Sequence, residues 1–139
     1  NDPVEATYLS LYTDSNAQTL SGANKYSIHF AADNLPPAKA FWSVTMYDSK
    51  TYSLVENSIG RFSLGDRSPE LSFNEDKSLT LYVSYDTPDE EHLPNWLPAP
   101  PKGFYLIMRV YIPEDSVVKQ TWIPPRLDLT ANGKAWVKR

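Results

Sequence analysis

The sequence predicts an all-β fold, a jelly-roll-like antiparallel β-sandwich with at most one short helix. Three observations carry this. Apolar and polar residues alternate in four separate runs, the period of two that turns one face of a strand into a core. Twelve prolines against five glycines, with nine tyrosines and four tryptophans, describe stiff loops between aromatic-rich strands. Turn signals separate the runs: "TDSNAQTLSGAN", "DNLPPAK", "FNEDKS" and "DTPDEEHLPNWLPAPPKG". A chain of 139 residues reads as a single domain over residues 1–139, and one of this size buries roughly two-thirds of its unfolded surface.

The elements follow in order. "ATYLSLY" at the start is a strand whose alternation is less clean than the others. In Lys25–Phe30, Tyr26, Ile28 and Phe30 point one way. In Phe41–Tyr47, Trp42, Val44 and Met46 oppose Phe41, Ser43, Thr45 and Tyr47. In Leu79–Tyr85, Leu79, Leu81, Val83 and Tyr85 oppose Thr80, Tyr82 and Ser84. In Phe104–Ile112, Phe104, Leu106, Met108, Val110 and Ile112 oppose Tyr105, Ile107, Arg109 and Tyr111. The "NEDKS" turn joins Leu71–Phe73 to Leu79–Tyr85 as a predicted hairpin. "PEDSVVKQ", with Pro113 in the first turn and two acids behind it, is the one helical candidate.

Composition excludes several function classes. A net charge of −4 and a pI near 5.1 argue against nucleic acid, whose phosphates demand a basic face. The absence of cysteine removes disulfides, thiolate metal sites and thiol nucleophiles. No apolar run approaches the roughly 20 residues of a membrane-spanning helix. The chain opens "NDPVEATYLSLY", without Met and almost at once in a strand, and reads as part of something longer.

Four segments together, "ANKYSIHF…LPPAKAFWSVTMYD", "YSLVENSIGRFSLGDRSPEL", "NWLPAPPKGFYLIMRVYIPED" and "TWIPP", resemble the DUF1214 family over nearly the whole chain, from Ala6 to Pro125. The resemblance implies a jelly-roll sandwich, the fold that the alternation predicts independently. It further implies an upstream DUF1254-like domain or partner chain, with this chain as the C-terminal part of the longer protein. Family members often look exported, so a periplasmic or extracellular location in the cell envelope is expected. The family carries no established activity. Ser58 and Gly60 stand where relatives often read "NPINRY", and the loop before "NWLP" is more acidic and contains His92.

Residues able to do chemistry are few. There are two histidines, and His29 lies on the polar side of its strand. Glu90, Glu91 and His92 suggest a metal set, but adjacent loop residues rarely converge on one ion; no metal or cofactor is expected. Ser43 or Ser63 with His29 and Asp66 makes a triad on paper only, since no G-x-S-x-G elbow is present. Arg61, Asp66 and Arg67 lie close together in "GRFSLGDRS". They form either an anion clamp or a capped turn, with Asp66 paired to an arginine and Gly65 supplying an unusual backbone angle. Trp96 either stacks on a ligand or plugs the sandwich end, and Trp122 anchors the chain's last leg.

Arg109 sits on one strand face with Tyr105, Ile107 and Tyr111. If the Phe41, Ser43, Thr45, Tyr47 face shares its sheet, the product is an aromatic, hydroxyl-rich surface around a cation. Such a surface suits a carbohydrate or small anionic ligand, with Arg109, Tyr47, Tyr105, Tyr111, Trp96, Arg61 and Arg67 as contacts. Alternatively a second domain covers the face and brings an acid to Arg109. The leading expectation is a non-catalytic binding or assembly module. Two others stand beside it: a hydrolase or lyase on a small or sugar-like substrate using Asp66, Arg61, Arg67 and His29, and an oligomeric envelope or fibre subunit.

Overall fold

The computed structural model describes residues 6–114 and 122–130. Eight strands form two four-stranded sheets. They are β1 (Ala6–Leu11), β2 (Lys25–Phe30), β3 (Ala38–Asp48), β4 (Ser63–Gly65), β5 (Leu79–Ser84), β6 (Trp96–Pro98), β7 (Phe104–Pro113) and β8 (Leu127–Thr130). One sheet runs β1-β7-β3-β4 and the other β6-β5-β2-β8. The chain changes sheet between β1 and β2, β2 and β3, β4 and β5, β6 and β7, and β7 and β8. Pairing is antiparallel except for β5 and β6. The all-β sandwich that the alternation predicts is the fold.

The core lies between the sheets and is filled by the predicted alternate residues. Tyr26, Ile28 and Phe30 of β2, Trp42, Val44 and Met46 of β3, and Phe104, Leu106, Met108 and Val110 of β7 are all buried. Leu79, Leu81 and Val83 of β5 meet them from the opposite sheet, with Leu97 and Leu127 at its two sides. Each such side chain contributes about 1.5–3 kcal/mol on burial. Trp122 packs against the edge of this cluster.

Four expectations are corrected. Leu71–Phe73 is not a strand; the turn at Asn74–Ser78 forms, closed by the Asn74 amide on the Ser78 carbonyl at 2.8 Å, without a partner strand before it. Tyr85 is exposed because β5 ends at Ser84. Ile112 is exposed because its backbone turns to φ 51°, throwing the side chain off the core face. A 3-10 helix, Glu90–Asn95, occupies what reads as loop. The helix expected over "PEDSVVKQ" lies outside the described residues, apart from Pro113 at the end of β7 and Glu114.

Candidate functional site

The outer face of the β1-β7-β3-β4 sheet is a grid. Strand registers put Ala6, Tyr111 and Phe41 in one row, Tyr8, Arg109 and Ser43 in the next, then Ser10, Ile107 and Thr45. Tyr105 and Tyr47 make the fourth row, and Tyr12, just past β1, joins it with its ring 5.3 Å from that of Tyr105. The two faces that the sequence left as separate strands do share a sheet.

Arg109 stands at the centre of this grid, half-buried. Its Nη1 donates to Thr45 Oγ1 (3.2 Å) and its Nη2 to the Tyr47 hydroxyl (2.8 Å). The guanidinium lies 5.1 Å from the Tyr8 ring centre and 5.8 Å from that of Tyr47. Among the described residues no carboxylate pairs with it. Burial lowers its pKa, but the hydrogen bond to Tyr47 and the nearby Tyr8 and Tyr111 phenols outweigh that, and the net shift is upward. The site therefore holds a permanent cation whose two anchoring bonds leave other N–H groups of its five-donor fork to spare.

Aromatic groups flank the cation on both sides. Toward one end Tyr105 is nearly covered, stacked on Tyr47 (5.3 Å, 13°) and overhung by Tyr12 and Tyr52. Burial and the surrounding phenols raise the Tyr105 pKa. Tyr52 reaches this corner from the loop after β3, where its φ is 61°. The left-handed conformation costs an L residue about 1–2 kcal/mol, and a bulky side chain there is a genuine outlier. Toward the other end Phe41 stacks on Tyr111 (4.2 Å, 24°), and the Arg67 guanidinium lies 3.9 Å over the Phe41 ring.

Of the residues singled out by sequence, Arg109, Tyr47, Tyr105, Tyr111 and Arg67 come together here. Phe41, Ser43 and Thr45 fill the rows beside them, and the others go elsewhere. Asp66 pairs with no arginine; its carboxylate accepts the Trp42 backbone N–H (3.1 Å), standing in for a strand carbonyl where β4 stops. Gly65 has no unusual φ. It is needed because a Cβ there would lie 2.1 Å from the Trp42 carbonyl oxygen. Arg61 ties the loop before β4 to the second sheet, donating from Nη1 to the carbonyls of Leu93 (2.7 Å) and Trp96 (2.8 Å). Trp96 pairs with Tyr82 on the far side of that sheet and is 2% exposed. Its Nε1 donates to the Ser84 carbonyl and hydroxyl, both at 3.1 Å. It is a plug in the second sheet rather than a neighbour of Arg109, and its face is covered. His29 also belongs to the second sheet, with Nδ1 2.9 Å from Thr80 Oγ1, so Ser43, Ser63, His29 and Asp66 form no triad.

His92 is buried against the Tyr82 ring, 4.2 Å between centres, and no group of three metal-binding side chains occurs among the described residues. A cavity of about 640 Å³ opens between residues 51–58 and the proline segment 98–101, away from Arg109. Its lining carries the carboxylates Asp48, Glu56 and Asp86 and no histidine or arginine, so it offers no anion clamp. Three members of the grid, Tyr8, Tyr12 and Tyr52, escape sequence reasoning. The first two were legible as Tyr-x-Ser-x-Tyr on one face of β1; Tyr52 lies in a turn, where no periodicity points to it. No described helix is long and apolar enough to cross a membrane.

Comparison with solved structures finds the VPA0106 protein of Vibrio parahaemolyticus, 33% identical, with a TM-score of 0.82 over 92% of this chain and 31% of that one. An uncharacterized protein from Burkholderia cenocepacia, 14% identical with a TM-score of 0.53 over 99% of this chain and 33% of that one, shares the fold. The chain thus spans about a third of the length of these solved proteins. No curated protein matches it. The family model described as "Protein of unknown function (DUF1214)" matches residues 5–115, and with most of its length inside that match the chain belongs to the DUF1214 family.

Proposed function

We propose that the chain is a non-catalytic binding module whose outer β1-β7-β3-β4 face holds a ligand bearing a carboxylate or other small anion among hydroxyl groups. The observation that carries this is Arg109: a half-buried guanidinium, anchored by Thr45 and Tyr47, with no carboxylate partner among the described residues. Holding a cation on a sheet face without a counter-ion costs solvation, and a ligand anion arriving in a bidentate geometry offsets that cost. Phenol rings on either side supply stacking surface and hydroxyls. The acid–base alternative draws no support from geometry, since His29, Arg61 and Asp66 serve three separate structural contacts.

Thermal unfolding in a panel of small carboxylates, phosphate and monosaccharides tests this. A ligand that binds the folded state alone stabilises it by about 2.7 kcal/mol at a hundredfold excess over Kd. The expected result is a rise with carboxylates that Arg109→Ala abolishes and Arg109→Lys weakens, because lysine keeps the charge but loses the planar fork. A rise that survives Arg109→Ala, or none with any anion, overturns the reading. In a protein three times this length, as in the solved relatives, the module would present this face to the ligand or to the remaining chain.

A further inference from the structure

We infer that the ligand is an acidic oligosaccharide, a chain of uronate-type sugars lying along β1 and β7, with Tyr12 and Tyr52 forming a second, sugar-stacking subsite beyond Arg109. The inference rests on the binding role proposed for this face and assigns its ligand class. Three features of the fourth row lead to it.

The first is exposure. Tyr105 and Tyr47 are stacked on each other and largely spent, whereas Tyr12 and Tyr52 remain 58% and 73% exposed while touching the same ring. Tyr8, beside the cation, is 61% exposed. Open phenol rings bordered by hydroxyls match the apolar faces and hydroxyl rims of pyranose rings. The second is strain. Tyr52 keeps a bulky side chain in a left-handed backbone position that glycine or asparagine occupies without penalty. Its ring gains only a tilted contact 6.3 Å from Tyr105. The turn closed by the Tyr52 N–H on the Asp48 carbonyl (2.8 Å) holds the backbone there, and such outliers cluster at binding and active sites. The third is spacing. Tyr8 and Tyr12 are four strand positions apart, as are Arg109 and Tyr105, which is about 13 Å at roughly 3.3 Å per residue. One sugar ring cannot reach both a carboxylate contact at Arg109 and a stack at Tyr12; a short oligomer can.

A protein partner fits the same face less well. In its four rows Ile107 is the only aliphatic side chain larger than alanine, too little for the apolar centre of a stable interface.

Calorimetric titration with galacturonate, its linear oligomers of increasing length, and the matching neutral galactose oligomers tests the inference, with melting curves of every variant alongside. Affinity is expected to rise at least about tenfold from monomer to tetramer and to fall with neutral oligomers. Tyr12→Ala and Tyr52→Gly should each lower tetramer affinity by about three- to tenfold and leave the monomer unaffected. Tyr52→Gly should do so without lowering the melting temperature, because relief of the strained backbone offsets the lost ring contact; a purely packing role for Tyr52 predicts a lower one. If the monomer binds through Arg109 but length and the two tyrosines make no difference, the inference falls and the anion-binding role stands. If neutral oligomers bind equally well, its acidic part falls. If nothing binds, the underlying role falls with it. Self-association abolished by Tyr12→Ala, with no saccharide binding, would make the face a protein interface and overturn the inference.

Discussion

The two sheets of this sandwich treat their outer faces in opposite ways. On the β6-β5-β2-β8 sheet every residue of β5 is buried, because the 3-10 helix and the segment before β5 close over it. Asn95 fastens that cover: its Oδ1 accepts the Ser72 N–H (2.8 Å), and its Nδ2 donates to the carbonyls of Ser72 (2.7 Å) and Thr80 (2.8 Å). The β1-β7-β3-β4 sheet leaves its outer face open, and the polar groups there satisfy one another side by side. A covered face uses polar residues to hold backbone; an open one keeps polar and aromatic groups available. The lesson is that arginines of similar appearance in sequence, Arg61 and Arg109, belong to different categories of work.

Mutations sharpen that contrast in order of expected effect on stability. Asn95→Ala strands the Ser72 and Thr80 backbone groups under the cover and should cost about 3 kcal/mol, read as a lower midpoint in urea unfolding. Arg61→Ala removes a charged donor from two carbonyls and should cost about 2 kcal/mol, with Glu70→Ala nearly silent because that carboxylate is exposed. Arg109→Ala should change stability by less than about 1 kcal/mol, since its hydroxyl partners can turn to water, while abolishing carboxylate binding. Equal losses for Arg61→Ala and Arg109→Ala would erase the distinction between the two faces.

The smallest effect concerns pH. Asp76 accepts hydrogen bonds from the Ser78 hydroxyl and amide in the turn before β5, and these hold its pKa below the ordinary carboxylate value. A folded-state pKa lower than the unfolded one contributes stability that is present above the unfolded value and lost as pH falls through the folded one. Melting temperatures of Asp76→Asn and the parent should therefore converge on acidification and differ slightly near neutral pH, the parent being higher.

Much of the fold was legible because one-face burial leaves a period of two in the sequence. Lys25–Phe30 and Phe41–Tyr47 needed nothing more. The failures have physical causes. Tyr82 was placed on a polar face by alternation, but it is buried because a cover packs there, and period-two reasoning sees one sheet at a time. Ile112 fits the pattern and breaks it through a local backbone turn. β4 and β6, three residues each, are too short to show any period. At the site, Arg109, Tyr47, Tyr105 and Tyr111 could be grouped because two long strands share a register. Arg67 reached them through a turn, and its clamp partners Arg61 and Asp66 were drawn away to carbonyl and amide contacts that spacing does not encode.

The pairing of β1 with β7 carries a consequence for how the protein is made. Tyr8 lies directly opposite Arg109, so the central row of the open face joins residues from near the two ends of the described chain. Closing so long a loop is entropically expensive before its contacts form, and β-sandwiches dominated by such pairings fold on the millisecond-to-second scale. During synthesis β3 emerges with β4 soon behind it, but long before β7 can join the sheet. Its Phe41 and Tyr47 must wait, exposed, until β7 leaves the ribosome. The open face therefore comes into being only when β7 slots between β1 and β3, with β8 still to join the second sheet.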